Sequence, residues 1–174
     1  MFVELRRAHD RSDFEKLHDL FVEYEADLSE ELRHGVVPDV AALDETYVAR
    51  NAAFLATSEG DVIGCVAVKA FDAETALMLR LFVRPQRRGL GAARLLVTAA
   101  IEFARAQRFG RIVLDTNKEQ LVPAYLLYRS LGFEECEPFT TVIYEFPTFM
   151  QLPLGQPDSA FGGDNLSRRS DLNR

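Results

Sequence analysis

The chain has 174 residues, 48% hydrophobic and 27% charged, with 27 acidic against 20 basic side chains and a formal net charge of -7. That length fits one domain around one ordinary core, and the composition excludes a fibrous or wholly disordered chain. The acidic balance argues against a nucleic-acid partner held by counterion release and suits a cationic substrate better.

The first residues, Met1 to Arg7, place charges where a signal peptide needs an unbroken apolar run, and no uncharged stretch approaches the length of a membrane helix. A cytoplasmic protein without a membrane partner is expected. Cys65 and Cys136 lack the spacing of a disulfide framework or a zinc site, and His9, His18 and His34 have no partner spacing that would make a metal site.

Residues 2 to 8 alternate as a first strand, and Ser12 to Glu15 has the form of a capping box, which predicts a helix starting there. Phe14, Leu17, Phe21, Tyr24 and Leu28 form its apolar stripe, with Glu15, Asp19 and Glu23 outside. Residues 29 to 50, broken by Gly35 and Pro38, predict short helical pieces joined by loops, a kind of segment that shapes substrate pockets. Ala52 to Thr57 and Val62 to Lys69 flank a hairpin turn, and the sheet continues through Leu77 to Val83.

From Gly89 the period becomes helical, with Ala93, Leu96, Val97, Ala100, Ile101 and Ala104 on one side. Ile112 to Leu114 reads as a short buried strand ending in Asp115, Thr116 and Asn117. A further helix runs from Pro123 to just before Gly132, with Ala124, Leu127, Tyr128 and Leu131 on one face. Phe133 to Pro138 and Thr148 to Leu152 supply the last strands. The polar segment 155–174 reads as a disordered tail on a domain spanning 1–154.

Chemistry concentrates between Val83 and the long helix. Arg84-Pro85-Gln86-Arg87-Arg88-Gly89-Leu90-Gly91-Ala92-Ala93-Arg94 is a basic, glycine-rich turn opening a helix, suited to a diphosphate. Glycines admit close backbone approach, the helix start presents unpaired amides, and the helix dipole favours an anion. Asn117 after the next strand and Leu127-Tyr128-Arg129-Ser130-Leu131-Gly132-Phe133 after that join this loop as further signals.

In these residues the chain resembles the GNAT superfamily of N-acetyltransferases, whose Q/R-x-x-G-x-G/A signature is met by Gln86, Gly89 and Gly91. The pattern is nearly continuous from Leu79 to Phe133, and the element order agrees over roughly residues 2 to 154. The resemblance implies an α/β (α+β) acyl-CoA N-acyltransferase fold: a mixed, mostly antiparallel twisted sheet of about seven strands with about four helices on both faces. It implies acetyl-CoA as acyl donor without a metal. The backbone of Leu81, Phe82 and Val83 would pair with the pantetheine arm like an added strand. Amides from Arg88 through Gly89, Leu90, Gly91, Ala92 and Ala93 would hold the diphosphate, with Arg87, Arg88 and Arg94 adding charge.

Asn117 matches the residue that reaches the pantetheine, and Tyr128 matches the general acid that protonates the departing thiolate. The acceptor would be a small-molecule or peptide amine, and a homodimer would be common among proteins of this kind. Some relatives carry Glu on the strand before the loop; Leu77-Met78-Leu79-Arg80 has none, so the base stays open among Glu25, Asp72 and Asp115. Two other readings compete. One is a catalytically degenerate acyl-CoA sensor. The other is an NAD(P)-binding protein, against which Arg94 stands where the dinucleotide fingerprint wants its third small residue.

Overall fold

The computed structural model describes residues 2–155. Seven strands form one sheet in the order β1-β2-β3-β4-β5-β7-β6. In chain order these are β1 Glu4–Arg7, β2 Ala52–Ser58, β3 Asp61–Ala70, β4 Thr75–Val83, β5 Arg111–Thr116, β6 Glu134–Glu135 and β7 Thr148–Pro153, with helices α1 Arg11–Asp27, α2 Val40–Thr46, α3 Ala92–Ala106 and α4 Val122–Ser130. Every neighbouring pair is antiparallel except β4 with β5, which run parallel. The mixed α/β architecture agrees with the sequence reading. The tail expected beyond Leu154 lies, apart from Gly155, outside the described residues.

Alternation along the strands divides the core in two. Val66, Val68, Ala76, Met78, Ile112 and Leu114 face α3, whose Leu96, Val97, Ala100 and Ala104 are fully buried against them. Ala53, Leu55, Cys65, Ala67 and Phe82 face the opposite way, toward Phe14, Leu17, Leu20 and Phe21 of α1. Truncating one of these phenylalanines to alanine would cost about 3–5 kcal/mol.

Two local expectations need correcting. Helix α1 begins at Arg11, not after a Ser12 capping box. Asp10 is the N-cap and accepts from the Asp13 amide at 2.8 Å, while the Asp13 carboxylate reaches back to the His9 amide at 3.3 Å. A carboxylate at the cap is as good an acceptor as a serine hydroxyl, so the earlier acid wins. The strand expected over Phe133 to Pro138 shrinks to Glu134 and Glu135. Beyond it the chain continues as a loop, where Phe139 packs edge-on against Phe71 and Phe149.

A β-bulge in β4 positions the site. Register with β3 slips between Cys65↔Phe82 and Ala67↔Leu79, and Arg80 within the extra residue takes a left-handed backbone with φ +54°. A bulge bends its strand and increases the local twist. Pairing of β4 with β5 accordingly ends at Leu77↔Val113, so Met78 to Val83 and Leu114 to Thr116 diverge into a cleft.

Candidate functional site: a split between two parallel strands

The cleft opens at the carboxyl ends of β4 and β5. After β4 the chain makes a single helical turn, Pro85–Arg87, then Gly89 and Gly91 with φ of +86° and +81° before α3. That left-handed backbone is where glycine carries no Cβ penalty. Gly91 caps α3 without a side-chain bond. Among the described residues, the backbone amides of Gly89, Leu90, Gly91, Ala92, Ala93 and Arg94 have no hydrogen-bond partner. A Cβ built on Gly89 or Gly91 meets nothing within 4 Å, so the side-chain direction at both glycines is open. A row of free N–H groups at the positive end of a 15-residue helix fits a phosphate-bearing ligand.

The other residues predicted for this site take up varied positions. Phe82 and Val83 are buried and Leu81 half-buried, on the stretch of β4 that β5 leaves unpaired. Gln86, Arg88, Gly89, Leu90 and Arg94 are exposed. The arginines are not free. Arg87 pairs with Asp61 at 3.0 Å, Arg88 with Asp27 at 2.9 Å, and Arg94 donates to the Ser130 hydroxyl on α4 at 2.8 Å. Arg88 also donates to the Val83 carbonyl at 2.9 Å.

Asn117, buried at the end of β5, uses its side-chain oxygen to accept from the amides of Glu119 and Gln120. Those bonds lock its oxygen into the loop and leave its amide nitrogen free of any partner among the described residues.

Tyr128 projects from α4 toward the split. The residue is buried, its ring leans on Phe133, and no group among the described residues hydrogen-bonds its hydroxyl. Burial, then the Tyr24 phenol and the Asp115 carboxylate, push its ionisation well above the ordinary tyrosine value. The phenol is therefore protonated at neutral pH.

On the α1 side of the cleft the fold assembles a group that sequence spacing did not connect. Glu25 is buried on α1. Its Oε2 accepts from the His34 amide at 2.9 Å, its Oε1 lies 3.0 Å from His34 Nδ1, and Arg80 of the bulge adds a contact at 3.4 Å. The Arg80 guanidinium also lies 4.8 Å above the Phe21 ring. The Tyr144 hydroxyl donates to Asp115 at 2.7 Å, and burial, followed by that bond, pushes its ionisation upward. Tyr24 is shifted the same way, by burial first and then by Glu25.

Of the three carboxylates considered as bases, Glu25 and Asp115 border the cleft; both oxygens of Glu25 are engaged, and Oδ2 of Asp115 accepts from Tyr144. Asp72 lies in the β3–β4 turn, at the far end of β4, and does not belong to the site. His9, read as isolated, sits 3.1 Å from Asp13. Asp13 is already held there by Arg6 at 2.8 Å, so helix capping accounts for that cluster.

Among the described residues no helix is long and apolar enough to cross a membrane. The family model described as "Acetyltransferase (GNAT) family" matches residues 12–133. An uncharacterised N-acetyltransferase of Schizosaccharomyces pombe is 42% identical over 81 residues, 46% of this chain and 49% of that protein. Human N-acetyltransferase 8 is 32% identical over 104 residues, 56% of this chain and 45% of that protein. The chain thus spans about half the length of the curated relatives it matches. In fold it is similar to a putative acetyltransferase from Salmonella typhimurium solved with its cofactor acetyl-CoA. The TM-score is 0.72 at 22% identity, over 90% of this chain and 96% of the other. The matched span holds the bulged strand, the glycine loop and Tyr128 together, and the chain belongs to the acetyltransferase (GNAT) family.

Proposed function

We propose that this protein transfers the acetyl group of acetyl-CoA to a primary amine, with donor and acceptor bound together in the cleft. The observation that carries this reading is the row of unpartnered amides from Gly89 to Arg94, set at the mouth of the split between β4 and β5. A diphosphate satisfies the amides, and the extended pantetheine adds to the unpaired stretch at Leu81, Phe82 and Val83 as a strand would. The side-chain nitrogen of Asn117 is free to donate to that arm. Arg87, Arg88 and Arg94 flank the loop with positive charge and can leave their present partners for the phosphates.

Acetyl-CoA supplies an acyl carbon whose bond to sulfur breaks as the bond to nitrogen forms. The chain's part is to hold the two reactants within reach of each other, which can supply about 7–11 kcal/mol of the barrier. A backbone amide in the unpaired stretch of β4 polarises the carbonyl. Tyr128, kept protonated by burial, gives its proton to the departing sulfur.

The test is calorimetric titration with acetyl-CoA, with NADH as control at the same salt concentration. It is followed by thiol release in the presence of primary amines. Micromolar binding of acetyl-CoA alone, with amine-dependent thiol release, supports transfer. Binding without transfer to any amine supports the sensor reading, and no binding removes both.

A further inference from the structure

We propose that His34, held by Glu25, is the base that takes the proton from the acceptor ammonium. This assignment rests on the transfer reading above and supplies the group that the sequence left open. An amine arrives protonated and cannot attack until its lone pair is released.

The geometry of the pair sets the tautomer. Both oxygens of one buried carboxylate are committed to His34, Oε2 to its backbone amide at 2.9 Å and Oε1 to Nδ1 at 3.0 Å. Nδ1 therefore carries the proton that the carboxylate accepts, and the lone pair resides on Nε2. Among the described residues nothing bonds Nε2, and the side chain is 37% exposed. This is the arrangement of a base oriented by a third group.

The imidazole also stands between the walls of the cleft. Its ring stacks on Tyr24 at 6.0 Å between centroids, and Tyr24 in turn meets the edge of Phe82 on the unpaired stretch of β4 at 6.1 Å. From the other side Tyr144 meets it edge-on at 6.3 Å, and Tyr144 is bonded to Asp115 at the end of β5. One imidazole is thus packed against side chains reaching both diverging strands.

The charged and titratable groups around it are Glu25 and Tyr24 from α1, Arg80 from β4, Asp115 from β5, Tyr144 from the loop before β7, and its neighbour Arg33, which donates to the Glu25 carbonyl. The two carboxylates are bonded to neighbouring side chains. Glu25 is buried with three bonds to His34 and Arg80, and Asp115 accepts from Tyr144.

The step balances. One ammonium proton passes to Nε2 and from there to water. The freed lone pair forms the bond to the acyl carbon, and the electrons of the carbon–sulfur bond leave with sulfur. A second proton, lost from nitrogen as that bond forms, replaces the one Tyr128 gives to sulfur.

His34→Asn tests this, because its side-chain amide still donates to Glu25 in place of Nδ1 but has nothing at the position of Nε2. The full chain is assayed by thiol release with putrescine, benzylamine and an alanyl peptide, across pH. We expect kcat/KM of the variant to fall about 100-fold or more near neutral pH, with the deficit shrinking as rising pH deprotonates the amine directly. Acetyl-CoA affinity should stay within about twofold of the native value, which also shows that the variant folds. Native turnover and an unchanged pH profile in His34→Asn overturn the assignment alone. Native protein that acetylates none of the amines overturns the transfer reading, and this assignment with it.

Discussion

Replacing Tyr128 with phenylalanine removes one oxygen and nothing else that the fold uses. The hydroxyl has no hydrogen-bond partner among the described residues, and the ring's packing on Phe133 is kept. The change should therefore leave stability within about 0.5 kcal/mol of native. Its effect on chemistry should be far larger. A positioned acid is worth about 10²- to 10⁴-fold, and at 1.36 kcal/mol per decade that is about 3–5 kcal/mol of barrier. Because burial keeps the phenol protonated well above neutral pH, the loss should be flat from pH 6 to 9 instead of following a titration. Turnover by thiol release and acetyl-CoA affinity by calorimetry separate the two effects. A fall in affinity that matches the fall in turnover refutes the acid role and makes Tyr128 a binding or packing residue.

Two further outcomes follow from the same geometry. Gly91→Val forces a β-branched residue into a left-handed backbone where its Cβ meets no neighbour. It should cost about 1–3 kcal/mol and weaken acetyl-CoA binding by tenfold or more while the fold is retained; native affinity in calorimetry removes the loop from the donor site. Asp10→Ala removes the cap of α1 and should cost about 0.5–2 kcal/mol, lowering Tm by a few degrees, whereas Ser12→Ala should leave Tm unchanged.

What could be read from the sequence was what is local in the chain. The hairpin at Ser58 to Asp61, the apolar face of α3 and the glycine turn before it each occupy one continuous stretch, and each was found where the spacing put it. The start of α1 was misplaced by the choice between two capping residues only two positions apart. The strand after Phe133 was overextended because Phe139, which looks like a strand residue, serves instead to pin a loop across Phe71 and Phe149.

The α1 side of the cleft was hidden for a different reason. Tyr24, Glu25, His34, Arg80, Asp115 and Tyr144 meet only because α1, the loop after it, the bulge of β4 and the loop before β7 converge. Arg80 shows the limit most plainly. Its left-handed backbone belongs to a bulge created by register with β3, and no property of Leu79-Arg80-Leu81 alone announces it. The one available signal was the pairing of a buried-position Glu25 with a histidine nine residues on, a separation outside any regular helical or strand period.

The seam between β4 and β5 is short. Among the described residues, strand pairing joins the half-sheet β1–β4 to the half-sheet β5–β7–β6 only at Thr75↔Arg111, Ala76↔Ile112 and Leu77↔Val113, all at one end of the gap. The aromatic groups that border the gap hang from opposite halves, Tyr24 over Phe82 on one and Tyr144 over Asp115 on the other. Under the proposed function donor and acceptor share the open end of this gap, and linkage requires any influence between them to be mutual: whatever affinity the acceptor gains from the donor, the donor gains equally from the acceptor.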